Sequence, residues 1–94
     1  MAHEDLHPET IAISSGRPQH VAGEGINLPI SLNSTFVAGG PINYGRTGNE
    51  TWHPLENAIS ALEEAESTLL FSSGMSAITA VFSLLPQGAP IVAS

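Results

Sequence analysis

Two short segments of the chain gather residue types suited to holding an anion. In Asn43-Tyr44-Gly45-Arg46-Thr47-Gly48-Asn49, one of the two cations stands two residues from the single tyrosine. A guanidinium presents a planar fork of donors to a phosphate, and the Tyr44 hydroxyl can add a third bond to the same group. The same residues also suit a solvated loop in which Arg46 pairs with a surface carboxylate. The second segment, Ser72-Ser73-Gly74-Met75-Ser76, stands where a short apolar run gives way to a helical pattern. At a helix start the free N–H groups and the positive end of the dipole converge on one point, which favours a phosphate or another anion. Ser73 can cap the helix and Gly74 lets a ligand approach the backbone, although an ordinary capped helix uses the same residues.

Other chemistries lack their parts. His3-Glu4-Asp5-Leu6-His7 spells the H-E-x-x-H zinc-protease pattern, but that pattern works only on a helix. Pro8 pushes His7 out of helical geometry and no third ligand is apparent, so no metal site is expected. Ser73 lacks the preceding glycine of G-x-S-x-G, and the only aspartate is Asp5 near the terminus, which disfavours acyl transfer. His20 and His53 are isolated in sequence, and no catalytic residue is assigned. With no cysteine, disulfides, thiolate metal sites and a cysteine nucleophile are excluded. There is no lysine either, because Arg17 and Arg46 account for both cations. Lysine is the residue that bonds covalently to aldehyde cofactors.

Nine carboxylates against two cations give a formal charge of -7, with no basic patch to neutralise nucleic-acid phosphates. No apolar run is long enough for a bilayer, and the first residues carry acid where a secretory signal carries base, so a cytoplasmic protein is expected.

Two unequal halves must position these segments. Residues 1–50 read as an extended arm, interrupted by Pro8, Pro18, Pro29 and Pro41 and turned by Gly23, Gly25, Gly39 and Gly40. Apolar stretches within it, such as Thr10 to Ile13 and Ile26 to Ile30, are suited to lie against another surface. Residues 51–94 read as packed structure. Leu55, Ala58, Ile59, Leu62, Ala65 and Leu69 have helical spacing, with Thr51 or His53 as cap and Pro54 in the first turn. Thr68-Leu69-Leu70-Phe71 reads as a buried strand, and Pro90-Ile91-Val92-Ala93 as the opening of another. Between them a helix beginning near Gly74 is apolar on nearly every side, which implies burial between layers, and Pro86-Gln87-Gly88 stops it. This strand-helix-strand order predicts an α/β fold with a mostly parallel sheet. The chain ends inside the last predicted strand, so a fragment of a larger protein is expected; the alternative is a short noncatalytic phosphate-binding or interaction module.

In order along the chain, Leu28-Pro29-Ile30, Ser34-Thr35-Phe36, Tyr44-Gly45-Arg46-Thr47-Gly48-Asn49, Leu55-Glu56, Leu62-Glu63 and Phe71-Ser72-Ser73-Gly74-Met75 resemble the Cys/Met-metabolism family of pyridoxal-phosphate enzymes. The likeness runs from about Glu9 to Ser94 and covers only the early portion of such an enzyme. It implies the aspartate aminotransferase-like, fold type I architecture, pyridoxal 5'-phosphate as cofactor, and β- or γ-elimination or replacement on a sulfur amino acid. It also implies a homo-oligomer, dimer or tetramer. By the resemblance, Tyr44 and Arg46 reach across a subunit interface to the cofactor phosphate of the neighbouring site. The backbone of Gly74 and Met75 binds the same phosphate from within its own subunit. The family's ring-stacking aromatic residue, the aspartate at the pyridine nitrogen and the cofactor-bonding lysine lie further downstream, so these 94 residues are expected to be inactive alone. Glu50 stands where many members have proline, and it is expected to face solvent.

Overall fold

The computed structural model describes residues 5–94; His3 and Glu4 of the H-E-x-x-H pattern lie outside them. It contains three helices, α1 (Pro8–Ser14), α2 (His53–Leu62) and α3 (Gly74–Ser83).

The first helix occupies part of what reads from sequence as an extended arm. Proline at the first helical position loses no hydrogen bond and arrives with its φ already helical, and Glu9 supplies a carboxylate to the first turn. His7 precedes it with extended backbone, ψ 144°, as a residue before proline must. The apolar stretch Thr10 to Ile13 does find a surface: α1 packs against α2, and Ile11 is the one buried apolar side chain among the described residues. Between Gly16 and Trp52 the chain has no helix or ladder. A single antiparallel bridge joins Thr35 to Tyr44, flanked by Phe36 N–H to the Asn43 carbonyl at 3.1 Å and Gly45 N–H to the Ser34 carbonyl at 2.6 Å.

The second helix begins where the spacing places it, with Pro54 in its first turn, but neither Thr51 nor His53 caps it. Trp52 holds the cap position without a side-chain bond. The Asn49 side chain already takes the Thr51 N–H at 2.8 Å, and the Asn49 carbonyl takes the His53 N–H at 3.2 Å, so the entry is built from upstream.

The helix also stops at Leu62, short of Ala65 and Leu69. Glu63 N–H bonds the Ile59 carbonyl and Ala65 N–H reaches back to the Ser60 carbonyl, both at 2.9 Å, while Glu64 sits at φ 52°. That is a Schellman ending with a glutamate where glycine is usual, and the missing glycine hid the boundary. A side chain in the left-handed region carries a steric penalty. Glu64→Gly is therefore expected to raise stability by up to about 1 kcal/mol, measured as a higher unfolding midpoint.

The third helix agrees with its sequence: Ser73 is the cap, its Oγ accepting from the Ser76 N–H at 3.1 Å. Its expected burial is not met within this chain. Met75 is 71% exposed, Val81 63% and Leu84 83%, and α3 packs on neither other helix.

The two expected strands do not form among the described residues. A lone strand pair gains too little to hold itself straight in water, and neither 68–71 nor 90–93 bonds the other. The Leu70 N–H instead goes to a side chain of α2 at 3.0 Å, and Val92 is fully exposed. The radius of gyration is 17.0 Å, against about 12 Å for a compact domain of this length.

Candidate functional site

The Tyr44–Arg46 loop is a turn held at both ends. Thr47 returns its N–H to the Tyr44 carbonyl at 3.0 Å and its hydroxyl to the same oxygen at 2.8 Å. At Gly45 an added Cβ would stand 3.2 Å from the Ser34 Cα, so the two sides of the hairpin meet closely there. The Arg46 guanidinium carbon lies 4.9 Å from the Tyr44 ring centroid, a distance at which the cation is attracted to the ring face. Both side chains are exposed. The ion pairs among the described residues are His7–Glu9 and His53–Glu56; Arg46 is in neither, and Glu50 is exposed without reaching it. A guanidinium stacked on a ring yet free of carboxylates keeps its donors for another anion.

Beneath the loop, Asn49 is 4% exposed. Its Nδ2 donates to the Asn33 carbonyl at 3.2 Å and its Oδ1 accepts from Thr51, while the Thr51 hydroxyl accepts from the Ser31 N–H at 2.8 Å. These bonds fasten residues 31–33 to 49–51 and thereby fix both feet of the loop. Sequence reading quoted Asn49 within the motif and gave it no role; a buried, satisfied amide is visible only once the two segments are in contact.

The Ser73–Met75 turn carries the second candidate. Gly74 and Met75 open α3, where an amide has no intrahelical acceptor, and neither N–H has a protein partner among the described residues. A Cβ built on Gly74 would meet nothing within 4 Å, so the approach to these amides is open. The Met75 side chain points away into solvent, which leaves its backbone as the useful part. Two free amides at a positive dipole end fit a phosphate oxygen. No hydrogen bond, ion pair or ring contact joins Tyr44 or Arg46 to Gly74 or Met75 among the described residues. The structure brings the residues together within each pair and leaves the two pairs separate.

One residue between them had no function in the sequence reading beyond its place on α2. The Glu56 side chain is 12% exposed. Its Oε2 meets His53 Nδ1 at 2.8 Å, and its Oε1 accepts the Leu70 N–H at 3.0 Å. The bond from the Leu70 amide, followed by the one to His53, holds its carboxyl below the ordinary value of 4.5, against the opposing effect of burial. A carboxylate whose pKa is depressed on folding stabilises the fold above its unfolded value, and the gain is lost as pH falls through the folded value. Acid titration is therefore expected to lower stability progressively below pH 4.5, and Glu56→Gln to flatten that part of the pH–stability curve. The legible signal was His53 and Glu56 three apart on a helix; its partner, Leu70, was not legible. A second link, Ser60 Oγ to Thr68 Oγ1 at 2.7 Å, lies one helical turn further along α2.

Among the described residues, no group of three or more His, Cys, Asp or Glu side chains could hold a metal ion, and no helix is long and apolar enough to cross a membrane. No solved structure matches the chain. Cystathionine gamma-lyase of Bos taurus is 37% identical over 92 residues, covering 92% of this chain and 23% of the relative. The cystathionine gamma-lyase of Homo sapiens is likewise 37% identical over 92 residues, with the same coverage of each chain. The enzyme of that name in Saccharomyces cerevisiae is 39% identical over 89 residues, covering 88% of this chain and 22% of the relative. The chain thus spans just under a quarter of the length of these curated relatives. The model of the family described as Cys/Met metabolism PLP-dependent enzyme matches residues 9–94, and on that match the chain belongs to the Cys/Met metabolism family of pyridoxal-phosphate-dependent enzymes.

Proposed function

We propose that this chain is the cofactor-anchoring early part of a pyridoxal-phosphate enzyme of sulfur amino-acid metabolism, of the cystathionine gamma-lyase or gamma-synthase type. The observation that carries the reading is an Arg46 stacked on Tyr44 and free of carboxylates among the described residues, which also offer the amides of Gly74 and Met75 without a partner among them. When bound, pyridoxal phosphate supplies an electron sink for loss or exchange of a group at the β or γ carbon of the substrate. The residues of this chain do positioning work. Arg46 grips phosphate oxygens through its fork and Tyr44 adds a hydroxyl. Gly74 and Met75 give their N–H groups, and the α3 dipole favours the doubly charged ester. Fixing the phosphate orients the ring above whatever residues complete the site.

The absence of any bond between the two pairs among the described residues supports the arrangement in which the 1–50 arm serves a neighbouring subunit while residues 51–94 open the cofactor domain. The protein is then a homo-oligomer, a dimer or tetramer, with an amino-acid substrate. The bare apolar faces of α3 and of 90–93 suit a fold type I α/β domain whose mostly parallel sheet draws further strands from the rest of the polypeptide. A cytoplasmic location accords with the absence of cysteine. Lacking a lysine, these residues hold the cofactor without breaking substrate bonds.

The test is incubation of the intact protein with pyridoxal phosphate and L-cystathionine, following release of free thiol. Turnover that depends on added cofactor is the expected result. Tight cofactor binding without turnover of any sulfur amino acid would leave a noncatalytic binding module, and absence of cofactor binding would overturn the reading.

A further inference from the structure

We propose that Glu56 is a positioning residue that holds the Ser73–Gly74–Met75 turn in place to receive the cofactor phosphate, an inference that rests on the functional reading above. Two side-chain bonds run between α2 and the segment after it: Ser60 to Thr68, and Glu56 to Leu70. As the chain advances from 68 to 70, its partner on α2 moves back from 60 to 56, so the segment runs antiparallel to the helix and toward its N-terminal end. Four helical residues rise about 6 Å, close to the advance of two extended residues at about 3.3 Å each, so both bonds form without strain. Three residues beyond Leu70 comes the Ser73 cap and then Gly74. Leu70 is therefore the last point before the turn at which the backbone is tied to α2, and Glu56 is the tie.

The other Glu56 oxygen extends the arrangement. His53 Nδ1 is fixed by Glu56 at 2.8 Å, and the far side of the same ring faces Gly48, where an added Cβ would stand 2.7 Å from Nε2. Gly48 follows the Tyr44–Thr47 turn directly. One carboxylate thus sets the segment leading into the Gly74 amides and, through one imidazole, the foot of the Arg46 loop. Its own bonds go to protein groups, so its effect on the ligand passes through others.

Pyridoxal 5'-phosphate and pyridoxal share a ring and an aldehyde and differ in the phosphate, so their affinity ratio isolates phosphate recognition from general loss of fold. In the intact apoprotein, Glu56→Ala and Glu56→Met, neither of which offers Leu70 an acceptor, are each expected to lower that ratio by ~10-fold or more, the size of one lost charge-assisted bond. Affinity for pyridoxal should hold within a factor of about two, and amide exchange of the 68–72 peptide should accelerate in Glu56→Ala. Glu66→Gln, an exposed site with the same charge change, should behave as wild type. If Glu56→Ala fails to fold, Glu56→Met, which keeps the side-chain length and removes both oxygens, decides alone. An unchanged ratio in a folded Glu56→Met protein would overturn the positioning role while leaving the cofactor reading intact. A wild-type protein that binds both compounds equally would overturn both.

Discussion

Gly16→Ala is expected to lower the unfolding free energy by ~2–4 kcal/mol, the sum of a backbone penalty and a steric one. Gly16 sits at φ +77°, and a Cβ there would stand 2.8 Å from the Pro54 carbonyl oxygen and 3.1 Å from the Pro54 Cβ. The carbonyl belongs to the first turn of α2, where it faces the residue four positions on, so it cannot withdraw without opening the helix. Displacing Gly16 instead moves the end of α1, which carries Ile11, the buried apolar residue of the described chain. Gly23→Ala separates the two causes, because Gly23 has a similar φ of +88° with nothing within 4 Å. It should cost only about 1 kcal/mol, the conformational part. Denaturant midpoints of the two variants measure the difference; equal losses would mean that the α1–α2 contact at Pro54 carries no steric constraint.

Arg46→Ala is expected to weaken pyridoxal phosphate binding by ~10- to 100-fold, since hydrogen bonds to a charged group are worth roughly 1.5–3 kcal/mol. Affinity for unphosphorylated pyridoxal should stay near wild type. The arginine is exposed and makes no ion pair among the described residues, so the substitution removes ligand contacts without orphaning a protein partner. Arg46→Lys should recover little of the loss. A point charge on a flexible stem gives up both the planar fork and the stacking on Tyr44 at 4.9 Å. Titration of the intact apoprotein by cofactor absorbance reads both variants, and unchanged affinity in Arg46→Ala would remove Arg46 from the phosphate site.

The features legible in the sequence were those decided within a few residues. Ser73 as cap and Gly74 as helix start follow from local chemistry, and Pro54 in a first turn follows from its missing N–H. The same logic placed Pro8 at an obstacle, when the residues after it were free to begin a short helix that α2 then stabilises; tertiary contact decided that case. Glu64 shows the reverse failure, because a helix ended by a left-handed glutamate leaves no glycine to read. The roles of Asn49 and Glu56 depend on partners 16 and 14 positions away, a separation that no periodicity encodes. The strands 68–71 and 90–93 illustrate a third limit. Their apolar composition predicts burial in a sheet, but a ladder requires neighbours on both sides, and two short runs do not supply them. For the site, residue types and order pointed to Tyr44, Arg46, Gly74 and Met75. That no bond joins the two pairs among the described residues is a property of the folded chain.

If one cofactor phosphate is gripped by these two pairs together, a structure of the intact protein with pyridoxal phosphate bound will show it. Phosphate oxygens are expected within about 3 Å of the Gly74 and Met75 amides of one subunit and of the Arg46 guanidinium and Tyr44 hydroxyl of its neighbour. A phosphate held by other residues, with Arg46 turned to solvent or paired to a carboxylate, would contradict it.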